Sequence, residues 1–185
     1  MKTTIIIPNY NGLSFMEPCF EALEAQTMKD FKILVVDNGS TDGSVEWLKE
    51  RGVPAIFLEK NTGFSGAVNV GIREADTPYV ILLNNDTEPE PDYVGELVRA
   101  VERSERIFSV SPKMVQMFNR ELMDDAGDMY CVLGWAFQRG VGRPARKYNR
   151  ACRVFSACAG AGIYRKSVFE EIGYFDEMHF AYLED

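Results

Sequence analysis

Three short aliphatic runs, each ending in polar residues, constrain the fold of this chain more than any other feature. Thr4-Ile5-Ile6-Ile7 runs into Pro8-Asn9-Tyr10-Asn11, Ile33-Leu34-Val35-Val36 into Asp37, and Ile81-Leu82-Leu83 into Asn84-Asn85-Asp86-Thr87. Runs this short and apolar at consecutive positions read as strands buried on both faces, the mark of a parallel sheet covered by helices. Ligands of such sheets bind just beyond the carboxyl ends of the strands. The three polar tips therefore point to one edge, and to a nucleotide and metal site there.

The segments between the runs supply the covering helices. Met16, Cys19, Phe20 and Leu23 fall at i, i+3, i+4 and i+7, an amphipathic stripe, with Ser14 and Glu17 reading as a capping box. A strand over 31–36 is followed by the polar turn 37–44 and a short helix carrying Val45 and Leu48. Residues 55–58 read as a third strand, 65–74 as a helix and 79–83 as a fourth strand. A helix from about Asp92 then aligns Val94, Leu97, Val98 and Val101 on one face. This alternation predicts a three-layer α/β/α domain with a mainly parallel central sheet and right-handed crossovers. The rhythm fails near Ile107. Val110, 114–118 and 131–137 are short β-like runs broken by Gly and polar residues, so the second part reads as smaller and irregular or antiparallel. Residues 139–153 hold Arg143, Arg146, Lys147 and Arg150 with no acid, plus Gly140, Gly142 and Pro144, and read as a mobile, solvated loop. Ser167 and Glu170 offer a second capping box, for a helix through Ile172.

The chain has 185 residues, 46% of them hydrophobic, enough for one core. A formal charge of -8 excludes general nucleic-acid binding, which needs a net positive surface. Cys19, Cys131, Cys152 and Cys158 form no C-x-x-C pair and read as free, mostly buried thiols. No apolar run approaches the roughly 18 residues of a membrane span, and a strand begins within a few residues of the N-terminus. Together these favour a reducing cytosol. The last residues, from Phe180 to Asp185, break off in mid-pattern without cap, Gly or polar tail, which reads as a chain incomplete at its carboxyl end.

Asn84, Asn85 and Asp86 offer hard oxygen ligands of the kind that hold Mg²⁺ or Mn²⁺ jointly with substrate phosphates. A plain turn after a strand is an equal reading of the triplet alone. Asp37 could accept a hydrogen bond from a base N–H or a ribose hydroxyl; taken alone it is more ordinary as a cap. Asn61-Thr62-Gly63-Phe64-Ser65-Gly66-Ala67 opens a helix with small residues that let backbone amides approach a phosphate. The spacing matches neither G-x-G-x-x-G nor G-K-[ST], which removes support from hydride transfer and P-loop hydrolysis. His179 reads as a surface residue, and Phe175, Phe180 and Tyr182 as core before sugar-stacking rings.

Read in order, the motifs resemble the family 2 glycosyltransferases of GT-A fold. They are Pro8-Asn9-Tyr10-Asn11, the stretch from Val35 to Ser44, Asn61-x-Gly63-Phe64 with Asn69 and Gly71, and Leu83-Asn84-Asn85-Asp86. Ala159-Gly160-Ala161-Gly162, followed by the stretch from Arg165 to Glu177, is similar to the family's acceptor-side segment. Tyr182-Leu183-Glu184-Asp185 is similar to the start of its E-D-x-D motif.

The resemblance implies one GT-A domain over 1–185, with a nucleotide-sugar half at 1–106 and an acceptor-side half at 107–185. It implies a donor site of Pro8, Asn9, Tyr10, Asn11, Asp37, Asn61, Gly63, Asn69, Asn84, Asn85 and Asp86, with Asp86 on a divalent cation, Mn²⁺ or Mg²⁺. Asp185 would be the base that deprotonates an acceptor hydroxyl, with inversion at the anomeric carbon, and Glu184, the second catalytic acid and the less favoured base, would orient the acceptor or a loop. The family's metal motif is D-x-D; here Asn84 stands in place of the first Asp. The implied partners are a nucleotide sugar, dTDP- or UDP-linked in the members it most resembles, which build bacterial surface polysaccharides and are often rhamnosyltransferases, and a glycan or lipid-linked saccharide acceptor. The implied location is the cytoplasm, including the inner membrane face, where the basic run would sit against anionic lipid. The competing class is a non-catalytic nucleotide-sugar-binding or assembly module. Nucleotidyl transfer is disfavoured, because no Gly-rich, Arg-containing loop follows the first strand.

Overall fold

The structure, a computed structural model, describes residues 1–181. The first part alternates as read: β1 (Thr3–Asn9), α1 (Leu13–Glu24), β2 (Phe31–Asp37), α2 (Ser44–Glu50), β3 (Ala55–Phe57), α3 (Gly63–Glu74), β4 (Tyr79–Leu82) and α4 (Tyr93–Val101). After it come β5 (Ser109–Val110), β6 (Met114–Gln116), β7 (Asn119–Asp125), β8 (Asp128–Tyr130), β9 (Ala136–Gln138), β10 (Ile163–Arg165) and α5 (Lys166–Ile172). The main sheet has the order β3-β2-β1-β4-β10-β5. β1 lies parallel between β2 and β4, in a register that sets Asn9 opposite Asp37 and Ile6 opposite Leu82. The polar ends of the three strands therefore finish level at one edge.

Side chains alternate across the sheet with period two. Ile5, Ile7, Val35, Ile81 and Leu83 pack with Met16, Cys19 and Leu23 of α1, Leu48 of α2 and Val94, Leu97, Val98 and Val101 of α4. Ile6, Val36, Val80 and Leu82 pack on the opposite face with Ala67, Val68 and Ile72 of α3 and Phe169 of α5. Each buried aliphatic side chain contributes about 1.5–3 kcal/mol relative to exposure, so these two layers hold the strand ends in place. Gly71 lets α3 approach β1 closely: a Cβ there would lie 2.4 Å from Ile6 Cγ2.

Beyond β5 the strands pair antiparallel, β6 with β7 and β8 with β9, while β10 inserts antiparallel between β4 and β5. Several expectations are corrected. α1 begins at Leu13, whose N–H donates to Asp42 Oδ2 at 2.9 Å; Ser14 caps nothing, and Glu17 pairs instead with Arg51. α5 also has no side-chain cap, and the Lys166 N–H donates to the Pro78 carbonyl at 3.0 Å. Residues 131–135 are the turn of the β8–β9 hairpin, closed by the Cys131 N–H on the Trp135 carbonyl at 3.0 Å, and not a strand. The basic segment is tied to β7: Met123 and Arg143 share a backbone hydrogen bond of 2.8 Å, Leu122 bridges Pro144, and a 3-10 turn at Ala145–Lys147 buries Ala145. Of the four cysteines, none in a disulfide, only Cys19 is buried, and Cys152 is exposed. Among the described residues no helix is long and apolar enough to cross a membrane.

Candidate functional site

At the level edge the strand tips are joined through one buried side chain. Asn9, 1% exposed, donates from Nδ2 to Asp37 Oδ2 at 2.8 Å and to Ser40 Oγ at 3.1 Å. Its Oδ1 accepts from Asn85 Nδ2 at 2.7 Å. Asp37, Asn9 and Asn85, from β2, β1 and the end of β4, thus form one hydrogen-bonded chain. Asn makes this possible because its amide carries a donor and an acceptor on one planar group. Gly12 roofs the chain, since a Cβ there would fall 2.0 Å from Asn85 Nδ2 and 2.7 Å from Asn9 Oδ1.

The loops around the chain are fixed by the same chemistry. Asp37 Oδ1 accepts from the Ser40 N–H at 3.0 Å, and Asn11, in the left-handed region at φ 52, accepts from the Thr41 N–H at 2.7 Å. Asp42 accepts from the Leu13 N–H and, at 2.5 Å, from the Ser44 hydroxyl, so it serves the starts of both α1 and α2. Burial alone would raise the Asp42 carboxyl, but the Ser44 hydroxyl and the N–H groups of Leu13 and Ser44 outweigh it and hold the group below the usual carboxylate range. Asn38 links β2 to α3, donating to Asn61 Oδ1 and the Gly63 carbonyl at 3.0 Å each and accepting from the Thr62 N–H at 2.9 Å.

What remains at the surface of the edge is a small polar and aromatic set. The Asp86 carboxyl is exposed, Asn84 and Asn85 are half-buried, Pro8 is half-buried, and Tyr10 is 51% exposed. Asp86 lies close enough to Cys19 to act on it: burial first, then the Asp86 charge, push the Cys19 thiol up to about 12. Beneath the edge the Tyr93 hydroxyl donates to the Ala161 carbonyl at 2.6 Å, and burial drives its pKa upward. The Asn84 N–H donates to the Gly160 carbonyl at 2.8 Å, which seats the Ala159-Gly160-Ala161-Gly162 segment against the β4 tip. A Cβ on Gly160 would come within 3.2 Å of Asn84 Nδ2.

The turn that opens α3, and Asn69 within that helix, are held by partners inside the protein. The amides that were to approach a phosphate are spent inside the protein: Thr62 N–H on Asn38, Gly63 N–H on Asn61 Oδ1 at 2.8 Å, and Phe64 N–H on the Phe180 carbonyl at 2.7 Å. Gly63, at φ +80, is needed because the Phe180 backbone passes 2.3 Å from where its Cβ would stand. Asn69, 1% exposed, braces the segment after α5, with Nδ2 donating to the Phe175 carbonyl at 2.8 Å and Glu177 at 3.0 Å and Oδ1 accepting from the Phe175 N–H at 3.1 Å. Phe175 packs on the core, and His179 is exposed with its carbonyl held by the Ser65 hydroxyl. Glu184 and Asp185, with Tyr182, lie outside the described residues.

Sequence reasoning missed Asn38 as an organiser, because its partners are more than twenty residues away, and passed over Ser40 and Gly12 for the same reason. It also missed Asp125, Asp128 and Cys158, whose ligand atoms lie within 4.8 Å of one another and which are the group of three metal-type ligands found among the described residues. An Asp-x-x-Asp spacing across a Gly-containing turn was the available signal. At the β4 tip, by contrast, Asp86 is the sole carboxylate of the Asn84-Asn85-Asp86 triplet.

A sheet of order β3-β2-β1-β4 with polar tips at one edge, continued by the antiparallel β10, is the mixed α/β sheet of the GT-A glycosyltransferases whose fold this chain shares. The chain belongs to glycosyl transferase family 2, whose family description matches residues 4–173. The uncharacterized glycosyltransferase YwdF of Bacillus subtilis is 28% identical over 179 residues, covering 95% of this chain and 62% of YwdF. S. aureus TarS 1-349 superimposes with a TM-score of 0.70 at 19% identity, over 100% of this chain and 53% of that one. Mannosyltransferase PcManGT of Pyrobaculum calidifontis, solved with GDP-Man and Mn²⁺, gives a TM-score of 0.69 at 16% identity, over 95% of this chain and 48% of that one. The chain thus spans 48% to 62% of the length of these proteins.

Proposed function

We propose that this chain carries the donor site of an inverting glycosyltransferase, which moves a sugar from a nucleoside-diphosphate sugar to a hydroxyl of a glycan or lipid-linked saccharide. The observation that carries the reading is the Asp37–Asn9–Asn85 chain, which fixes three strand tips beneath the exposed Asp86. Family membership supports it, as do the UDP and UDP-GlcNAc complexes of TarS, which shares the fold.

In this reading Pro8, Tyr10 and Asp37 surround the nucleoside, while Asn85 and Asp86 face the diphosphate. Asp86 and the Asn85 oxygen are hard donors that fit Mg²⁺ or Mn²⁺ when phosphate oxygens complete the shell. Such an ion, once bound, stabilises charge on the departing diphosphate. The chain's own work is positioning: a rigid edge presents the donor so that an acceptor hydroxyl, deprotonated by Asp185 and oriented by Glu184, attacks the anomeric carbon from the opposite face. Residues 1–106 form the donor half and 107–185 the acceptor-side half. A cytoplasmic site of action, at the inner membrane face, fits the basic 139–153 segment, and UDP- or dTDP-sugars are the donors we favour. The second reading, a non-catalytic binding module, is favoured by one observation, Asn84 in place of a motif carboxylate.

Calorimetric titration of UDP, dTDP and GDP, each with and without Mn²⁺, into the chain and its Asp86→Ala variant tests the donor site. One diphosphate should bind selectively, more tightly with Mn²⁺, and weaken in the variant; an affinity unchanged by the substitution would count against the assignment. Sugar transfer by a chain extended beyond Asp185 would exclude the binding-module reading.

A further inference from the structure

The acceptor-side half contains a second place where chemistry is concentrated. Asp125 closes β7 and Asp128 opens β8, with Gly127 between them at φ +92. That turn is clamped against the strand-like 154–156 segment: the Asp128 N–H donates to the Ser156 carbonyl at 3.0 Å, the Phe155 N–H donates back to the Asp128 carbonyl at 2.9 Å, and a Cβ on Gly127 would strike Val154 at 2.7 Å. The clamp turns both carboxylates towards Cys158, two residues further on, so that one ligand atom from each lies within 4.8 Å of the others.

Asp125 is the informative member. Its side chain is 0% exposed, Oδ1 accepts the Ala126 N–H at 2.6 Å, the Cys158 thiol is a hydrogen-bond partner of the carboxylate, and among the described residues Oδ2 is buried with no partner of its own. Among the described residues no cation pairs with it; the Arg139 guanidinium reaches the neighbouring Ala126 carbonyl at 3.5 Å and lies over the Tyr148 ring. A buried carboxylate oxygen left in this way is costly unless a proton or a cation occupies it. Burial pushes the Asp125 carboxyl up, opposed by the Ala126 N–H, the Cys158 thiol and the Gly127 N–H.

The geometry points to a cation site formed by Asp125, Asp128 and Cys158, suited to a borderline transition-metal ion of the Zn²⁺ type and separate from any ion held with the donor at Asp86. A thiolate beside two carboxylates disfavours Mg²⁺ and Ca²⁺, which take oxygen ligands, and suits tetrahedral Zn²⁺ or Co²⁺ with a fourth position left for water. Ligands at about 2.0–2.3 Å from a tetrahedral centre stand roughly 3.3–3.7 Å apart, so contraction of the group by about 1 Å completes the site. The bound ion would tie the β7–β8 turn to the segment that continues into Gly160, where a Cβ would lie 3.5 Å from Cys158 Sγ and 3.2 Å from Asn84 Nδ2. Its place in the molecule is therefore structural, holding the acceptor-side half against the β4 tip.

Co²⁺ titration of the reduced, metal-free chain, followed by absorption, tests this directly. One equivalent of Co²⁺ should produce a thiolate-to-cobalt charge-transfer band with the intense visible bands of tetrahedral cobalt, displaced by Zn²⁺ and not by Mg²⁺. The band should vanish in Cys158→Ser, weaken at least about tenfold in apparent affinity in Asp125→Asn, and persist in Cys152→Ser and Asp86→Ala. Absence of a charge-transfer band in the wild-type chain at stoichiometric Co²⁺ overturns the site in favour of a proton shared between the carboxyls. A band that survives Cys158→Ser also overturns it. Should Cys158→Ser lose its circular dichroism, the wild-type titration and the isosteric Asp125→Asn variant still decide.

Discussion

Asn9→Asp is the substitution that most directly tests whether the three strand tips are held by an amide chain. The two side chains have the same shape, so packing is kept while the Nδ2 donor, 2.8 Å from Asp37 Oδ2, becomes a second carboxylate oxygen. Two unit charges at that separation repel by about 6 kcal/mol at an effective dielectric of about 20. That equals roughly four units of pKa at about 1.4 kcal/mol each. The pair escapes by keeping one proton, which restores the lost hydrogen bond and holds its last ionisation well above the ordinary carboxylate range. The folded variant then binds more protons than the unfolded chain across the window between that range and this ionisation. Its stability is accordingly full in acid and falls by about 1.4 kcal/mol per pH unit as pH rises, until both carboxylates ionise. Asn9→Ala removes both Nδ2 hydrogen bonds and the acceptor of Asn85 without adding charge and should cost about 3 kcal/mol at every pH in the window. Urea unfolding followed by the fluorescence of the two tryptophans, at steps from about pH 5 to about pH 8, reads both effects. An Asn9→Asp profile parallel to that of the wild type would refute the amide chain as the link.

Two further outcomes follow from the same edge. Asp42→Ala removes the acceptor serving the starts of α1 and α2 and should cost about 1–2 kcal/mol by chemical denaturation. Because the Asp42 carboxyl is held below its ordinary range, the wild type should lose this contribution as pH falls through the depressed pKa and the variant should not; equal acid sensitivity of the two would refute the cap. Cys19, with its thiol at about 12 and buried, should resist maleimide at neutral pH while exposed Cys152 reacts, with mass spectrometry locating the label and urea releasing Cys19. Equal rates at the two positions in the folded chain would contradict the burial and charge assigned to Cys19.

The parallel part of the sheet was legible because its information is local. Ile5 to Ile7, Val35 with Val36, and Ile81 to Leu83 are buried on alternate faces as consecutive apolar residues demand, and their polar ends land level because the parallel register is set by those runs. The second half was not, because its hairpin strands are short or polar and β10 is defined by distant pairing. β7 is polar over most of its length, and β10 has three residues whose identity as a strand depends on β4, more than eighty positions earlier. The capping boxes failed for a related reason: Ser14 and Ser167 had the right spacing, but Asp42 and the Pro78 carbonyl reached those helix starts first. Asn69 shows the same limit at the site, where a motif residue expected to face the donor is taken by Phe175 and Glu177 from the far end of the chain.

The amide chain also bears on how the edge would hold a cation. Asn85 can donate to Asn9 only as an amide, and Asn84 brings no charge, so the tip of β4 presents one exposed carboxylate, Asp86, on a neutral and rigid base. A single carboxylate in water attracts a divalent ion weakly, and most of the remaining charge must come from the diphosphate itself. In the proposed donor site, cation and nucleotide are therefore coupled ligands. Linkage requires the factor by which Mn²⁺ tightens the nucleotide to equal the factor by which the nucleotide tightens Mn²⁺. The two factors, measured by calorimetry in an Asp125→Asn, Cys158→Ser background to silence the Asp125 group, should agree and be large, with Mn²⁺ alone binding too weakly to register. Stoichiometric Mn²⁺ binding in that background without nucleotide would instead show that Asp86 has further protein ligands, and the argument from a lone carboxylate would fall.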